Sequence, residues 1–201
     1  MIMMQKDKGF TILWDFDGTL FDSYPIYTKK FQQVLNDGNV TEQEVYKQLK
    51  ISFRHASSFF HFSEEQLEGF FRLEERILPK DIKPFDSVEN VLNFASKNVI
   101  MTHKRRNDVS KILDYYGWEK YFSEIVAGDD GFPRKPNIES YEYLHQKHKI
   151  DLAIGDREID IIPANKLGIS TCLFQNSNSN IADFYLEDYK DFWNKIAHSI
   201  V

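Results

Sequence analysis

Short apolar runs alternate along this chain with longer stretches in which apolar residues recur every three or four positions. The runs that indicate strands are Ile12–Trp14, Val99–Thr102, Ile125–Ala127, Leu152–Ile154 and Thr171–Phe174. Nearly continuous apolar runs of this length are typical of strands buried on both faces, and the periodic stretches are typical of amphipathic helices. Because strands and helices alternate, we predict an α/β fold, a three-layer, Rossmann-like parallel sheet with helices on its faces.

The segment after the first strand interrupts this alternation. It predicts successive helices without a strand between them, at Ile26–Leu35, Thr41–Leu49, Phe53–Phe62 and from Ser63 to a point before Pro79. The segments Thr41–Glu44 and Ser63–Gln66 have the spacing of capping boxes, which mark helix starts. We therefore expect two domains, an α/β core of residues 1–20 and 86–201 and an inserted helical cap of residues 21–85.

The C-terminal part of the chain predicts two further elements. The segment Gln175–Asn180 is a polar loop whose composition gives no reason to pack, and Ile181–Ile200 has the pattern of an amphipathic helix. Cys172 is the only cysteine and falls in the last predicted strand. We expect it to be a buried packing residue, because a buried thiol is usually unreactive.

Composition narrows the class of partner. The chain has 201 residues and a net charge of -6, which makes nucleic acid and membrane surfaces poor candidates. A single cysteine excludes an internal disulfide and fits a reducing compartment. No apolar run is long enough to span a bilayer, and the first residues contain no apolar signal region. We expect a cytoplasmic protein, a monomer or a weak homodimer, that acts on a small molecule.

Two carboxylates stand at the end of the first predicted strand. Asp15 and Asp17 precede a Gly18-Thr19 turn, and alternate residues of an extended chain point the same way. Two carboxylates this close repel each other, and Mg²⁺ is a cation that such oxygen ligands hold. One aspartate can act as a nucleophile, and a second can donate and accept the proton of the leaving oxygen. An isolated Asp-x-Asp is more often an ordinary turn, so the other strand ends must decide.

The ends of the other strands carry the groups that phosphate chemistry needs. Thr102 ends the second strand, Lys135 follows the third, and Asp156 and Asp160 follow the fourth. Each has an ordinary structural explanation when taken alone: a helix cap, a solvated lysine, or charges at a helix N-terminus. Ligands of parallel sheets gather at the carboxyl ends of the strands. The placement of all four residues at successive strand ends therefore favours a phosphate and metal site.

Four segments resemble the motifs of the haloacid dehalogenase (HAD) superfamily in order and spacing. They are Asp15-Phe16-Asp17-Gly18-Thr19, Thr102, Lys135-Pro136 and Gly155-Asp156-Arg157-Glu158-Ile159-Asp160. The start of the cap, Asp22-Ser23-Tyr24-Pro25, resembles subfamily IA, the group with phosphoglycolate phosphatase and β-phosphoglucomutase. The resemblance covers essentially the whole chain.

This resemblance implies a role for each motif residue. Asp15 is expected to be the nucleophile and Asp17 the general acid and base. Mg²⁺ is expected to be held by the Asp15 carboxylate, the Asp17 main-chain carbonyl and Asp156, with Asp160 in or next to its coordination shell. The phosphate-binding residues are expected to be Gly18, Thr102, His103 and Lys135.

The chain also departs from the family pattern. His103 stands where the phosphatases usually carry Asn, and the segment Lys50–His55 replaces the usual cap loop. Within that segment Arg54 and His55 are candidates for recognising the leaving group, although a surface pair would have the same sequence. The basic segment His103–Arg106 either attracts an anionic substrate or is a solvated helix start.

The favoured hypothesis is a Mg²⁺-dependent phosphatase that hydrolyses a small phosphorylated metabolite through an aspartyl-phosphate. A phosphosugar mutase is the first alternative, but the His that the mutases carry after their first motif is replaced by Tyr24-Pro25-Ile26-Tyr27. A non-enzymatic phospho-acceptor module is the second. The cap and Asp17 argue against it, because a module that only holds phosphate needs no acid for a leaving group. Asp17 also argues against a dehalogenase, which does not need that acid.

Overall fold

The computed structural model describes residues 10–200, without the side chain of Ile200, and forms two compact units. Of these residues, 10–20 and 84–200 form one unit, and Phe21–Lys83 form the other. The second unit contains the helices that the sequence assigns to a cap.

The strands among the described residues form one large sheet and one small one. They are β1 (Thr11–Trp14), β2 (Phe21–Asp22), β3 (Lys83–Pro84), β4 (Lys97–Met101), β5 (Phe122–Val126), β6 (Leu152–Gly155), β7 (Ser170–Phe174) and β8 (Phe184–Leu186). The large sheet has the order β5-β4-β1-β6-β7-β8, and every neighbouring pair is parallel. The predicted Rossmann-like parallel sheet is confirmed.

Strand β1 occupies the middle of the sheet and is buried along its whole length. Its last residue, Trp14, is in register with Ile100 of β4 on one side and with Ile154 of β6 on the other. The carboxyl ends of β4, β1 and β6 therefore lie side by side, with β5 next to β4. This order places the four strand ends singled out from the sequence along one continuous edge.

Helices follow the strands of this unit along the chain. They are α5 (Val88–Phe94), α6 (Arg106–Tyr116), α7 (Glu139–His148), α8 (Glu158–Lys166) and the short α9 (His198–Ile200); the labels α1 to α4 belong to the other unit. A core cluster joins apolar residues of the strands and helices, among them Leu13, Val99, Val126, Tyr141 and Ala164. Buried strands with apolar side chains on both faces account for the continuous runs in the sequence.

The helical unit consists of α1 (Tyr24–Leu35), α2 (Glu42–Ile51), α3 (Phe53–Phe59) and α4 (Glu64–Glu74). Both predicted capping boxes are present, at Thr41 with Glu44 and at Ser63 with Gln66. Ser23 precedes α1, but its side chain makes no capping hydrogen bond, because its own backbone is already helical. Helix α3 ends earlier than predicted, and His61 after it has a positive φ of 53°.

The prediction of one long C-terminal helix over Ile181–Ile200 is wrong. Strand β8 occupies part of that segment and pairs in parallel with β7. It is followed by a 3₁₀ turn at Tyr189–Asp191, a π-helical turn at Trp193–Ala197 and then α9. A strand of three residues is too short to show the alternation that identifies strands in a sequence, and its pairing with β7 decides its conformation.

Two further findings concern expectations from composition. Cys172 is fully buried in β7 and is a free thiol, as expected. Within the described part of the chain, no helix combines the length and the apolar character that a membrane crossing requires.

The core of the helical unit depends on Phe31, and we predict that Phe31→Ala destabilises it. This ring is fully buried and contacts the rings of Phe53, Phe60, Phe62 and Phe70. Removal of a buried phenyl ring costs about 3–5 kcal/mol, because the site loses burial and retains a cavity. Denaturant unfolding followed by circular dichroism measures the loss.

The matched control is Phe59→Ala. The Phe59 side chain is 54% exposed, so its removal should shift the unfolding midpoint little. Equal losses in the two variants would show that the aromatic cluster around Phe31 does not carry the stability of the unit.

Candidate active site

The candidate site lies at the carboxyl edge of the large sheet. The Asp15 N–H donates a hydrogen bond to the Ile154 carbonyl oxygen at 2.9 Å, and the Thr102 N–H donates to the Val126 carbonyl oxygen at 2.9 Å. These bonds extend the sheet ladder by one residue beyond β1 and β4. The sheet itself thus fixes the backbone of Asp15 and Thr102, and both residues are buried.

Lys135 connects three parts of this edge. Its Nζ donates to Asp15 Oδ1 at 2.6 Å and to the Met101 carbonyl oxygen at 3.1 Å. The same Nζ lies 2.6 Å from Asp160 Oδ1, and its side chain has no exposed surface. One buried ammonium therefore joins the residue after β1, the end of β4 and the first turn of α8.

Burial and charge both act on the ionisation of this group. Burial raises the pKa of Asp15 to about 7, with Asp160 adding to the rise and Lys135 opposing it. Burial also acts to raise the pKa of Asp160, but the charges of Lys135 and Arg157 outweigh it and hold this pKa below its ordinary value. For Lys135, burial acts to lower the pKa, and the two carboxylates reverse the effect and raise it. The ammonium is therefore charged, and Asp15 lies in surroundings that favour additional positive charge.

Asp156 and Asp160 reach the same place from the other side of β1. Asp156 follows β6, and Asp160 lies in the first turn of α8, where its Oδ2 accepts a hydrogen bond from the Arg157 N–H at 3.0 Å. A Cβ atom at Gly155 would lie 2.2 Å from the Cβ of Asp160. Only glycine allows the first turn of α8 to approach the strand this closely.

The three buried aspartates fit a divalent metal ion. One carboxylate oxygen from each of Asp15, Asp156 and Asp160 lies within 4.8 Å of the other two. Mg²⁺ takes oxygen ligands and is usually held by a few carboxylates together with a phosphate. Nearby, Asp17 Oδ1 is a buried acceptor that has no hydrogen-bond partner among the described residues. The donor types and their spacing therefore match a magnesium site, which stays a prediction.

Asp17 differs from Asp15 in its surroundings. Its side chain is 27% exposed, and its Oδ2 lies 3.1 Å from Lys104 Nζ, which belongs to a side chain only 7% exposed. The Lys104 N–H in turn donates to Thr102 Oγ1 at 3.1 Å. Asp15 is thus enclosed by the protein, whereas Asp17 can reach a solvent molecule or a ligand. The Thr102 hydroxyl, which accepts from Lys104, keeps its own hydrogen for donation.

His103 has a partner that the sequence did not suggest. Its Nε2 accepts a hydrogen bond from the Lys135 N–H at 2.8 Å, so the ring is neutral and carries its hydrogen on Nδ1. Burial lowers the pKa of His103 to about 3, and the charges of Lys135 and Arg134 add to this effect. Only Nδ1 can therefore donate to a ligand, and the predicted role of His103 in phosphate binding rests on that atom.

The remaining predicted site residues lie in two places. Gly18 forms the turn after Asp17 with a positive φ of 82°, a backbone conformation that favours glycine. Arg54 and His55 belong to the helical unit, on α3. Arg54 is exposed, and His55 Nε2 shares a hydrogen bond of 2.8 Å with Gln48 Oε1. Their role in recognising a leaving group stays a prediction.

Three further residues contact the site, and the sequence analysis assigned none of them a role there. Thr19 Oγ1 donates to Asp15 Oδ2 at 3.1 Å, the Tyr141 hydroxyl donates to the Asp160 carbonyl oxygen at 2.6 Å, and Asn176 Nδ2 donates to the Asp156 carbonyl oxygen at 3.0 Å. Asn176 corrects the expectation that the loop Gln175–Asn180 has no packing role. Thr19 is part of the first motif, but its hydrogen bond to Asp15 was not predicted. The contacts of Tyr141 and Asn176 arise only in the folded chain.

Comparisons with known proteins show what this chain is similar to. The sequence model of the haloacid dehalogenase-like hydrolases matches residues 12–174. The pyrophosphatase PpaX of Oceanobacillus iheyensis is 25% identical over 203 residues, which cover 90% of this chain and 94% of the relative. The phosphoglycolate phosphatase of Vibrio parahaemolyticus is 25% identical over 194 residues, which cover 84% of each chain.

Solved structures show the same architecture. A hydrolase from Streptococcus pneumoniae TIGR4 is 33% identical, with a TM-score of 0.65, and the match covers 85% of this chain and 95% of that one. A candidate β-phosphoglucomutase from Thermotoga maritima has a TM-score of 0.75 at 18% identity, and the match covers 96% of this chain and 100% of that one. The second similarity is evidence for the fold alone.

The position of Lys135 predicts a large effect of Lys135→Met on stability. Asp15 and Asp160 would stay buried without their shared ammonium, and removing one partner of a buried ion pair costs about 3–5 kcal/mol. The loss should be largest near neutral pH and smaller toward about pH 5. A carboxyl group whose pKa is raised by folding destabilises the protein increasingly as the pH rises above its unfolded-state pKa, because the folded state retains the proton. Denaturant unfolding of metal-free protein at several pH values measures this.

Lys147→Met is the matched control. Lys147 Nζ also contacts a carboxylate, Glu124 Oε2 at 2.8 Å, but its side chain is 55% exposed. The control should leave the unfolding midpoint nearly unchanged. A similarly small effect of Lys135→Met would contradict the central role that its contacts assign to it.

Proposed function

Because the chain belongs to the haloacid dehalogenase-like hydrolase family, we propose that it is a Mg²⁺-dependent phosphatase that forms an aspartyl-phosphate on Asp15. The observation that carries this proposal is the pairing of an enclosed carboxylate, Asp15, with a partly exposed one, Asp17, two residues further on. The two positions suit the two roles. A nucleophile must be held in place, and an acid and base must reach the leaving group and then water.

The reaction has two steps. In the first, a carboxylate oxygen of Asp15 attacks the phosphorus, the bond to the leaving oxygen breaks, and Asp17 gives that oxygen a proton. In the second, Asp17 takes a proton from water, whose oxygen attacks the phosphorus and releases Asp15 and phosphate. Lys135 holds Asp15 in place, and the Thr102 hydroxyl can donate to a phosphoryl oxygen. Both actions position groups and balance charge, which is most of what phosphoryl transfer requires.

The metal site completes the proposal. The residues that would hold the ion are Asp15, Asp156 and Asp160, whose carboxylate oxygens lie close together, and the Asp17 carbonyl that the family pattern adds. When bound, Mg²⁺ neutralises negative charge on the phosphoryl oxygens and on the nucleophile. This chain contributes the fixed ligands, and the bond from Asn176 to the Asp156 backbone holds one of them in position.

The proposed substrate is a small phosphorylated metabolite. The similar phosphatases are named for phosphoglycolate and for pyrophosphate, and in both substrates the leaving group carries negative charge. The mutase hypothesis receives support from fold similarity alone. We further propose that the enzyme acts in the cytoplasm, as a monomer or weak homodimer, without nucleic acid or membrane partners. The single buried thiol of Cys172 fits a reducing compartment.

The first test is phosphate release from an aryl phosphate in the presence of Mg²⁺. Asp15→Asn should lower kcat by about 10⁴-fold or more, because the amide cannot form the covalent intermediate. EDTA should abolish the wild-type activity, and added Mg²⁺ should restore it.

Asp114→Asn is the matched control, since it makes the same chemical change at an exposed position of α6. It should retain wild-type activity. Undiminished turnover by Asp15→Asn would contradict the covalent mechanism, and wild-type turnover in EDTA would contradict the metal requirement.

The roles of Asp15 and Asp17 can be separated by Asp17→Asn. An aryl leaving group needs little help from an acid, so Asp15 should still be phosphorylated by this variant. Hydrolysis of the aspartyl-phosphate on Asp15 should be slow in this variant, because no base activates water. Rapid-mixing measurements should show a burst of about one aryl alcohol per chain followed by slow turnover.

The double variant Asp15→Asn/Asp17→Asn controls for this experiment and should show no burst. Mass spectrometry of the quenched Asp17→Asn variant should locate one phosphoryl group on Asp15. A steady rate equal to that of the wild type, with no trapped phosphoryl group, would remove Asp17 from the mechanism.

A further inference from the structure

Arg157 lies directly between two of the proposed metal ligands. Its Nε is 3.7 Å from Asp156 Oδ1 and 3.7 Å from Asp160 Oδ2. It precedes α8 with an extended backbone, φ −128° and ψ 155°. Arg157 thus lies between the two carboxylates that follow β6, and its Nε is close to two of the three aspartates that would hold the ion.

The two cations at this site are held differently. Lys135 Nζ makes contacts of 2.6 Å to Asp15 and Asp160, and its side chain has no exposed surface. The Arg157 Nε contacts are 3.7 Å, which is too long for a hydrogen bond, and the side chain is 19% exposed. The ammonium is therefore in direct contact with its carboxylates and fully buried, whereas the Arg157 Nε lies farther from its carboxylates and its side chain is partly exposed.

The formal charges explain why a second cation stands here. Asp15, Asp156 and Asp160 contribute three negative charges when ionised, and Lys135 offsets one of them. Burying the remaining charges without a partner would be costly. Arg157 supplies the next positive charge at the place where the proposed divalent ion would supply two. The guanidinium and the ion therefore act on the same two carboxylates.

We propose that Arg157 is the resident counter-cation of the magnesium site, which balances Asp156 and Asp160 in the metal-free enzyme and thereby weakens metal binding. This inference rests on the proposed metal site and adds a residue that sets its affinity. The ion must overcome the attraction between Arg157 and the carboxylates. When the ion binds, the guanidinium would either stay close to it, with electrostatic repulsion between the two cations, or move toward solvent.

The test measures Mg²⁺ binding by isothermal titration calorimetry on the full chain after removal of metal, without substrate. Arg157→Gln should bind Mg²⁺ about tenfold more tightly or better, because a positive charge a few ångströms from the ion is removed. The metal-free variant should unfold at a lower temperature than the wild type. Added Mg²⁺ should raise the unfolding temperature of Arg157→Gln by more than it raises that of the wild type.

Three further variants make the result specific. Arg157→Lys keeps the charge and should stay close to the wild-type affinity. Arg157→Met removes the charge, keeps an aliphatic chain and should behave like Arg157→Gln, which guards against a folding defect in either. Lys120→Gln changes the net charge of the protein equally at an exposed position before the amino end of β5, away from the carboxyl edge, and should leave the affinity unchanged.

Unchanged or weaker Mg²⁺ binding in Arg157→Gln and Arg157→Met would overturn the proposal. If neither the wild type nor these variants bind Mg²⁺, the proposed metal site fails together with the role of Arg157. A wild type that binds Mg²⁺ but releases no phosphate from any substrate would contradict the proposed function alone, because the calorimetry does not depend on turnover.

Discussion

The buried ammonium of Lys135 is the interaction on which the rest of this site depends. It contacts Asp15 and Asp160 at 2.6 Å each, inside a protein interior from which water is excluded. Carboxylates in such surroundings would otherwise take up protons and lose the charge that a nucleophile or a metal ligand needs. One cation shared by two carboxylates keeps both groups ionisable and fixes the distance between β1 and α8.

The strand order explains how a local arrangement can recruit residues from distant parts of the chain. Strand β1 lies between β4 and β6, so its carboxyl end has a neighbour on each side. Thr102 and Asp156, at the ends of those neighbours, are brought beside Asp15 without any specialised loop. Lys135 needs more support, because a long segment separates it from β5. The hydrogen bond from its N–H to His103 Nε2 supplies part of that support.

Much of the core fold was predictable, and so was the meeting of Asp15, Lys135 and Asp156 at one sheet edge, because each depends on a local signal. A short apolar run followed by Asp, Thr or Gly-Asp identifies a buried strand and the residue at its end, and the parallel order brings such ends together. What could not be predicted depends on partners distant in sequence. Strand β8 exists because β7 offers an edge, and Asn176 became a site residue because its loop folds toward Asp156. The contact between Lys104 and Asp17 likewise required the sheet register.

The site combines a stability cost with a functional requirement. Three acidic groups gathered at a sheet edge destabilise the folded chain unless cations accompany them, yet a phosphatase needs room for an additional cation and a phosphate dianion. A single type of counter-charge cannot serve both needs. Lys135, which is fully buried, provides a fixed positive charge. In the proposed arrangement Arg157, whose side chain is 19% exposed, provides a positive charge that a bound metal ion can displace. Together the two cations offset two of the three formal carboxylate charges, so one negative charge remains for a further cation.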